Sequence, residues 1–227
     1  TGDTFTGLIK ELIKVQGIER FRISSIEPNL LTDELIMIAA GNPKVLPHFH
    51  IPLQSGSNRI LALMKRRYKR ELFTDRVKMI KRYLPYAGIG ADVIVGFPGE
   101  TAADFEETFT FLDQLQLSYL HVFSYSPRPG TLAAELPGII AFEEKEIRSK
   151  KLIALSHRKH EEFLNNNIGC TTEVLFEGVK INGMITGYTG NYIRVEYPWQ
   201  TGLAGKIRKV MLKGISQGDK MNIELKA

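Results

Sequence analysis

The sequence predicts an α/β protein in two parts: a partial parallel (β/α) barrel lacking its first strands, then a small all-β barrel. Over residues 1–140, short apolar runs alternate with segments of helical spacing. Four of these runs end in polar loops, Ser24–Pro28, Gln54–Ser57, Gly96–Glu100 and Ser126–Gly130. Strands separated by helices pair in parallel, and ligands of such sheets gather at the strands' carboxyl ends. From Thr171 the pattern becomes short alternating runs broken by Gly183, Gly190, Gly202 and Gly214, which suits a small closed barrel.

Taken in order, Thr4 to Val15 places Phe5, Leu8, Ile9, Leu12 and Ile13 at helical spacing, and Phe21 to Ile26 follows as a strand. Thr32 and Asp33 offer caps for a helix to Ala40 that Gly41-Asn42-Pro43 stops, and Phe49 to Leu53 is the next strand. A helix over Ile60–Met64 resumes at Arg76–Tyr83 beyond the basic run Lys65–Arg70. Ala91 to Val95 is apolar and ends in β-branched residues, which suits a strand covered on both faces. Gly96, Pro98 and Gly99 then form a tight loop. Thr101 caps the helix Ala103–Leu115, whose acids Asp104, Glu106 and Glu107 lie early, where the helix dipole favours them. Leu120 to Tyr125 is the fourth strand, and Ser126–Thr131 is too rich in proline to prolong it. A charged helix over Phe142–Asn166 connects to the tail. The tail's strands are read near Thr172–Phe176, Met184–Tyr188, Tyr192–Glu196, Ile207–Leu212 and Met221–Leu225. The expected division is therefore 1–140, a connector 141–169, and 171–227.

Composition narrows the function. The chain of 227 residues has a net charge of +5 and a pI near 9.2, so nucleic acid is the first partner to consider. No run approaches the roughly 18 apolar residues that span a bilayer, so a cytoplasmic protein without a membrane partner is expected. The one cysteine, Cys170, excludes an internal disulfide framework and cannot alone hold zinc or an iron–sulfur cluster. His48, His50 and His121 match no metal motif and read as packing or hydrogen-bonded histidines, with no metal expected. Residues 171–227 hold eight Lys and Arg against five acids, with Tyr188, Tyr192, Tyr197 and Trp199 between them. This suits either RNA contact or an ordinary barrel with solvated lysines.

Four motifs stand in order: Arg22-Ile-Ser-Ser-Ile-Glu-Pro28, His50-Ile-Pro-Leu-Gln-Ser-Gly-Ser57, Asp92-Val-Ile-Val-Gly-Phe-Pro-Gly-Glu-Thr101 and Phe123-Ser-Tyr-Ser-Pro-Arg-Pro-Gly-Thr131. Together they resemble the radical S-adenosylmethionine (SAM) methylthiotransferases, which insert sulfur and a methyl group into a C–H bond of a tRNA base or a ribosomal protein. Ser25–Pro28 and Asn42-Pro-Lys44 most resemble the branch acting on N6-threonylcarbamoyladenosine in tRNA. The resemblance implies a transferase using SAM and two [4Fe-4S] clusters, with tRNA as partner and the sulfur source left open. It also implies that the tail is a TRAM domain, an OB-like RNA-binding barrel.

The family's Cys-x3-Cys-x2-Cys loop does not occur here. The resemblance therefore implies the C-terminal part of such an enzyme, inactive without the cluster-binding region. Carried over residue by residue, it assigns Gln54, Ser55, Arg66, Gly96, Gly99, Tyr125 and Ser126 to the cofactor. It assigns Glu27, Arg128, Tyr192, Trp199, Lys206, Arg208 and Lys209 to substrate or RNA. Glu100 is expected to cap its own helix. Alternative readings are a methylthiotransferase for isopentenyladenosine tRNA or a ribosomal protein, and a non-catalytic RNA-binding module.

Overall fold

The computed structural model describes residues 4–216 and 218–226. Helix α1 (Phe5–Leu12) is capped by Thr4, whose hydroxyl accepts from Gly7 N at 3.0 Å. Of its apolar stripe only Ile9 is buried, while Phe5 and Leu8 stay exposed. Thr32 caps α2 (Asp33–Gly41) in the same way.

The expected first strand is a correction. Phe21–Ile26 makes a single parallel bridge, Phe21 to Val45, in place of a ladder. Its hydrogen bonds join Leu46 N to Phe21 O at 2.9 Å and Ile26 N to His50 O at 3.0 Å. Between those points the next donor on that side, His48 N, turns back onto Leu46 O at 2.8 Å, so no ladder bond forms. Proline shortens the second strand. The expected Phe49–Leu53 becomes β1 (His48–His50), because Pro52 interrupts the ladder before it resumes at a Gln54–Val93 bridge.

Helices α3 (Asn58–Leu63) and α4 (Arg70–Tyr83) lead to β2 (Gly88–Val95). Helix α4 begins six residues before the expected start, inside the basic run, because Asn58 Oδ1 accepts the Arg70 backbone N–H at 2.9 Å from across the loop. Helix α5 (Ala102–Gln114) then leads to β3 (Tyr119–Ser124). Thr101 and Asp104 close a reciprocal capping box at the start of α5. The sheet is parallel in the order β1-β2-β3, with Phe49 opposite Ile89 and Asp92 opposite His121. Ile89, Ala91, Val93 and Val95 point into the main core with Phe49, Ile51 and Phe73. Each of these buried side chains larger than alanine contributes about 1.5–3 kcal/mol. Residues of the other parity, His48, His50, Asp92, Ile94, Tyr119 and His121, share the opposite face.

Helix α6 (Phe142–Asn165) runs along β3 and serves two cores. Leu152 and Leu155 join the first, and Phe163 and Leu164 the second. Ser156 Oγ accepts from Leu120 N at 2.8 Å and donates to Leu120 O at 3.0 Å, and buried Lys159 donates to Leu115 O at 2.7 Å. The second core fills a closed five-stranded barrel of β4 (Thr171–Ile181), β5 (Met184–Thr189), β6 (Arg194–Pro198), β7 (Ile207–Ile215) and β8 (Met221–Leu225). Tyr192, read as the start of a strand, lies instead in a turn at φ 73°. The barrel seats directly on the sheet. Asn191 Nδ2 donates to Tyr86 O at 2.7 Å and to Asn167 Oδ1 at 3.0 Å. A Cβ at Gly88 would lie 2.3 Å from Asn191 O, so only glycine fits there.

The turn after β2 is locked by a buried ion pair. Glu100 does not cap its helix. Its Oε2 accepts from Gly96 N at 2.7 Å and from Arg148 Nη1 of α6 at 2.6 Å, and Glu100 and Arg148 are 2% and 4% exposed. Breaking such a pair from one side leaves a buried charge uncompensated. Arg148→Met is expected to cost about 3–5 kcal/mol in urea unfolding, and adding Glu100→Gln should restore a large part of it. A single variant as stable as the parent would contradict this role.

Candidate active site

The carboxyl ends of β1, β2 and β3 bring together three of the loops singled out in the sequence. After β1, Gln54 takes a left-handed backbone at φ 73° and is 8% exposed, and the chain turns towards α5. Ser55 Oγ lies 3.2 Å from Thr108 Oγ1, and Gly56 N donates to the same hydroxyl at 3.1 Å. Ser55 is thus held against a helix, fully buried. Ser57 Oγ donates to Asp104 Oδ1 at 2.9 Å, Arg59 Nε donates to the same oxygen at 3.0 Å, and Arg59 Nη2 reaches Gly99 O at 2.6 Å. Asp104, reached by sequence reasoning only as an early helix acid, therefore ties two loops together. Burial opposes its ionisation, but Arg59, Thr101 and Ser57 hold its carboxyl well below the usual carboxylate range.

Gly96 and Gly99 both adopt positive φ, 73° and 80°. The close approach at Gly96 is that of Lys145 from α6, 2.2 Å from where a Cβ would sit, and Gly99 N donates to Gly138 O at 2.8 Å. Both glycines serve the packing of the loop against α6 and the segment before it.

Beside this scaffold lies a cavity of about 580 Å³ lined by Met64, Arg66, Ile94, Phe97, Tyr125 and Leu136, among others. A second cavity of about 420 Å³ shares Ile94 and Tyr125 with it and adds Ser126 and Arg128. Arg66, Tyr125, Ser126 and Arg128 thus converge on one region. Glu27 joins them through an ion pair with Arg66 at 3.1 Å. Arg66 Nε and Tyr125 Oη are buried without any hydrogen-bond partner. Buried polar atoms are nearly always paired, so these two can each bond a water or another polar group that enters the cavity.

The remaining residues lie elsewhere. Tyr192 stacks on Tyr188 at 4.8 Å and takes the Arg22 guanidinium at 4.1 Å from its ring centroid. Trp199 packs against the barrel core. Lys206, Arg208 and Lys209 are exposed, and among the described residues none has a carboxylate within 4.0 Å. His48 Nε2 meets Tyr119 Oη at 2.9 Å, and burial, with Arg22, His50 and His121 nearby, pushes its pKa down to about 4. His50 and His121 gather around Asp92, which sequence spacing did not reveal because 42 and 29 residues separate Asp92 from them. The available signal was shared strand parity.

A profile of the Radical SAM superfamily matches residues 2–112. The chain is 41% identical over 213 residues to the threonylcarbamoyladenosine tRNA methylthiotransferase MtaB of Bacillus subtilis (strain 168), covering 92% of this chain and 47% of that protein. It is 40% identical over 220 residues to the tRNA-2-methylthio-N(6)-dimethylallyladenosine synthase of Sulfurovum sp. (strain NBC37-1), covering 94% and 50%. The chain thus spans about half the length of the curated relatives it matches. Coproporphyrinogen III oxidase (HemN) from Escherichia coli, a radical SAM enzyme, shares the fold over 68% of this chain and 37% of that one, with a TM-score of 0.56 at 16% identity.

The Asp104 network predicts an acid limb. A carboxyl whose folded pKa is depressed stabilises the fold above its unfolded value of about 3.9 and loses that contribution as pH falls through lower values. Arg59 is half exposed, so screening limits the effect to about 1–2 kcal/mol between roughly pH 4.5 and 2. Urea unfolding across pH should show this loss. Asp104→Asn should be less stable at pH 7 and flatter below pH 4.5.

Proposed function

We propose, from the premise that this chain belongs to the radical SAM methylthiotransferase family, that it forms part of a tRNA-modifying transferase that adds a methylthio group at C2 of N6-threonylcarbamoyladenosine. The observation that carries this reading is the cavity bearing the unpartnered Arg66 Nε and Tyr125 Oη, at the strand ends where parallel folds place their ligands. Arg66 would bind the cofactor carboxylate, and Tyr125 with Ser126 its polar groups. Gln54, Ser55, Gly96 and Gly99 would contribute by fixing the loops that bound the cavity. Bound SAM supplies the methyl group and the radical that takes hydrogen from the base. The chain itself contributes position and the exclusion of water.

An iron–sulfur cluster does not fit the residues present. The one cysteine, half-buried Cys170, precedes β4 in the tail, so we place cluster ligation outside these 227 residues and route no step through it. Among the described residues no helix is long and apolar enough to cross a membrane. We place the enzyme, as one acting on tRNA, in the cytoplasm.

We read the five-stranded barrel as a TRAM module. Its RNA contact rests first on the exposed Lys206, Arg208 and Lys209; Tyr192, 37% exposed, would add a stacking face, while Trp199 packs against the barrel core. The threonylcarbamoyl substrate is favoured by Ser25–Pro28 and Asn42–Lys44. A dimethylallyladenosine substrate is the second reading, favoured by the identity to the Sulfurovum enzyme.

Inactivating the gene and analysing tRNA nucleosides by mass spectrometry should abolish the 2-methylthio form of threonylcarbamoyladenosine. Loss of the dimethylallyl counterpart instead would transfer the assignment to the second reading. Filter binding of tRNA to the chain should weaken steeply with salt. Substituting Lys206, Arg208 and Lys209 together by Ala should lower the log–log slope by about 2–3, one phosphate contact per cation. An unchanged slope would remove the barrel from the RNA interface.

A further inference from the structure

The face of the sheet opposite the main core carries three ligand-type side chains that the proposed transferase chemistry does not use. His50 comes from β1, Asp92 from β2 and His121 from β3, one from each adjacent strand. The sheet pairs Asp92 directly with His121 and sets His50 opposite Gly90, two residues before Asp92 on the same face. The glycine there admits the Tyr119 ring, which fills the position a Cβ would take.

Both imidazoles converge on a single oxygen. His50 Nε2 lies 2.8 Å from Asp92 Oδ1, and His121 Nδ1 lies 3.3 Å from the same atom. The three ligand atoms all lie within 4.8 Å of one another. Bonds of about 2.0–2.2 Å around a tetrahedral ion set its ligand atoms about 3.4 Å apart, so small side-chain rotations complete the site. The side chains are graded in exposure, 9% for His50, 21% for Asp92 and 53% for His121. The inner ligand is fixed by packing and the outer one faces open space. Tyr119 packs against both imidazoles, at 6.3 Å from His50 and 5.1 Å from His121, and its hydroxyl is held by His48.

We propose that His50, Asp92 and His121 form a binding site for one divalent transition-metal ion, with its remaining coordination positions turned to the open face of the sheet. Two imidazoles and a carboxylate suit zinc, ferrous iron or cobalt, whereas magnesium and calcium take all-oxygen sets. Three protein ligands leave room for water or an oxygen of a bound molecule, the arrangement of reactive rather than structural sites. The donor set contains no thiolate, so this ion is distinct from any iron–sulfur cluster. It does not depend on which nucleoside is modified.

The test uses the whole chain, stripped with chelator and titrated with Co²⁺ as a spectroscopic probe. One equivalent should produce ligand-field bands, and one equivalent of Zn²⁺ should abolish them. Asp92→Asn and His121→Ala should each weaken Co²⁺ binding by more than the roughly 10–100-fold that loss of a supporting group alone costs. His121 is exposed, so its variant should keep the parent's circular dichroism and report on the ligand alone. His157→Gln, on the exposed side of α6, should bind like the parent. Failure to bind one equivalent, or binding that survives both ligand substitutions, as it would at Cys170 or at scattered surface histidines, overturns the proposal.

Discussion

The Glu100–Arg148 pair is the contact on which the arrangement of the site depends. A carboxylate and a guanidinium taken out of water together must satisfy one another, and the Glu100 oxygen also takes the Gly96 N–H. This one group therefore fixes the turn after β2 and the rotation of α6 about its axis. Because α6 enters both hydrophobic cores, the same contact sets where the barrel begins relative to the sheet. Asp104 repeats the device one turn further on, joining the loop after β1 to the start of α5. Two buried carboxylates hold the cavity wall, and neither needs to touch a ligand to do so.

Much of this order is legible in the residues, and the exceptions have physical causes. Caps and glycines act locally, so Thr32, Thr101 and the turn at Gly96–Gly99 could be read directly. The closed barrel followed from alternation and glycine spacing. Strand limits failed where His48 turns its N–H onto Leu46 O and where Pro52 interrupts a ladder that apolar content alone would extend. Helix α4 began early because its cap, Asn58, lies twelve residues away in sequence. Glu100 was misread for the same reason, since its partner is 48 residues distant and only the fold selects it.

The candidate site divides in the same way. Arg66, Tyr125, Ser126 and Arg128 line neighbouring cavities, and Glu27 reaches them through Arg66. Ser55, Gly96 and Gly99 support the walls through Thr108, Lys145 and Gly138, contacts that motif matching does not reveal. In the tail, Tyr192 stacks on Tyr188 yet stays 37% exposed, and Trp199 packs half-buried against the barrel core. Lys206, Arg208 and Lys209 stand at the surface, as their charge requires.

The seat of the barrel on the sheet has a mechanical consequence. Asn191 reaches Tyr86 and Asn167 at once, Gly88 admits its backbone at contact distance, and Arg20 pairs with Glu173 across the same junction. No flexible tether of the kind that lets modules wander separates the two parts. On the proposed reading, an RNA gripped by the barrel is held at a fixed offset and angle from the strand ends, like stock clamped in a jig. Delivery of one nucleotide to the cavity then becomes an intramolecular step, with an effective concentration set by the clamp rather than by the solution. The junction would also act as a gauge, admitting only those RNA shapes whose bend places a base at that distance.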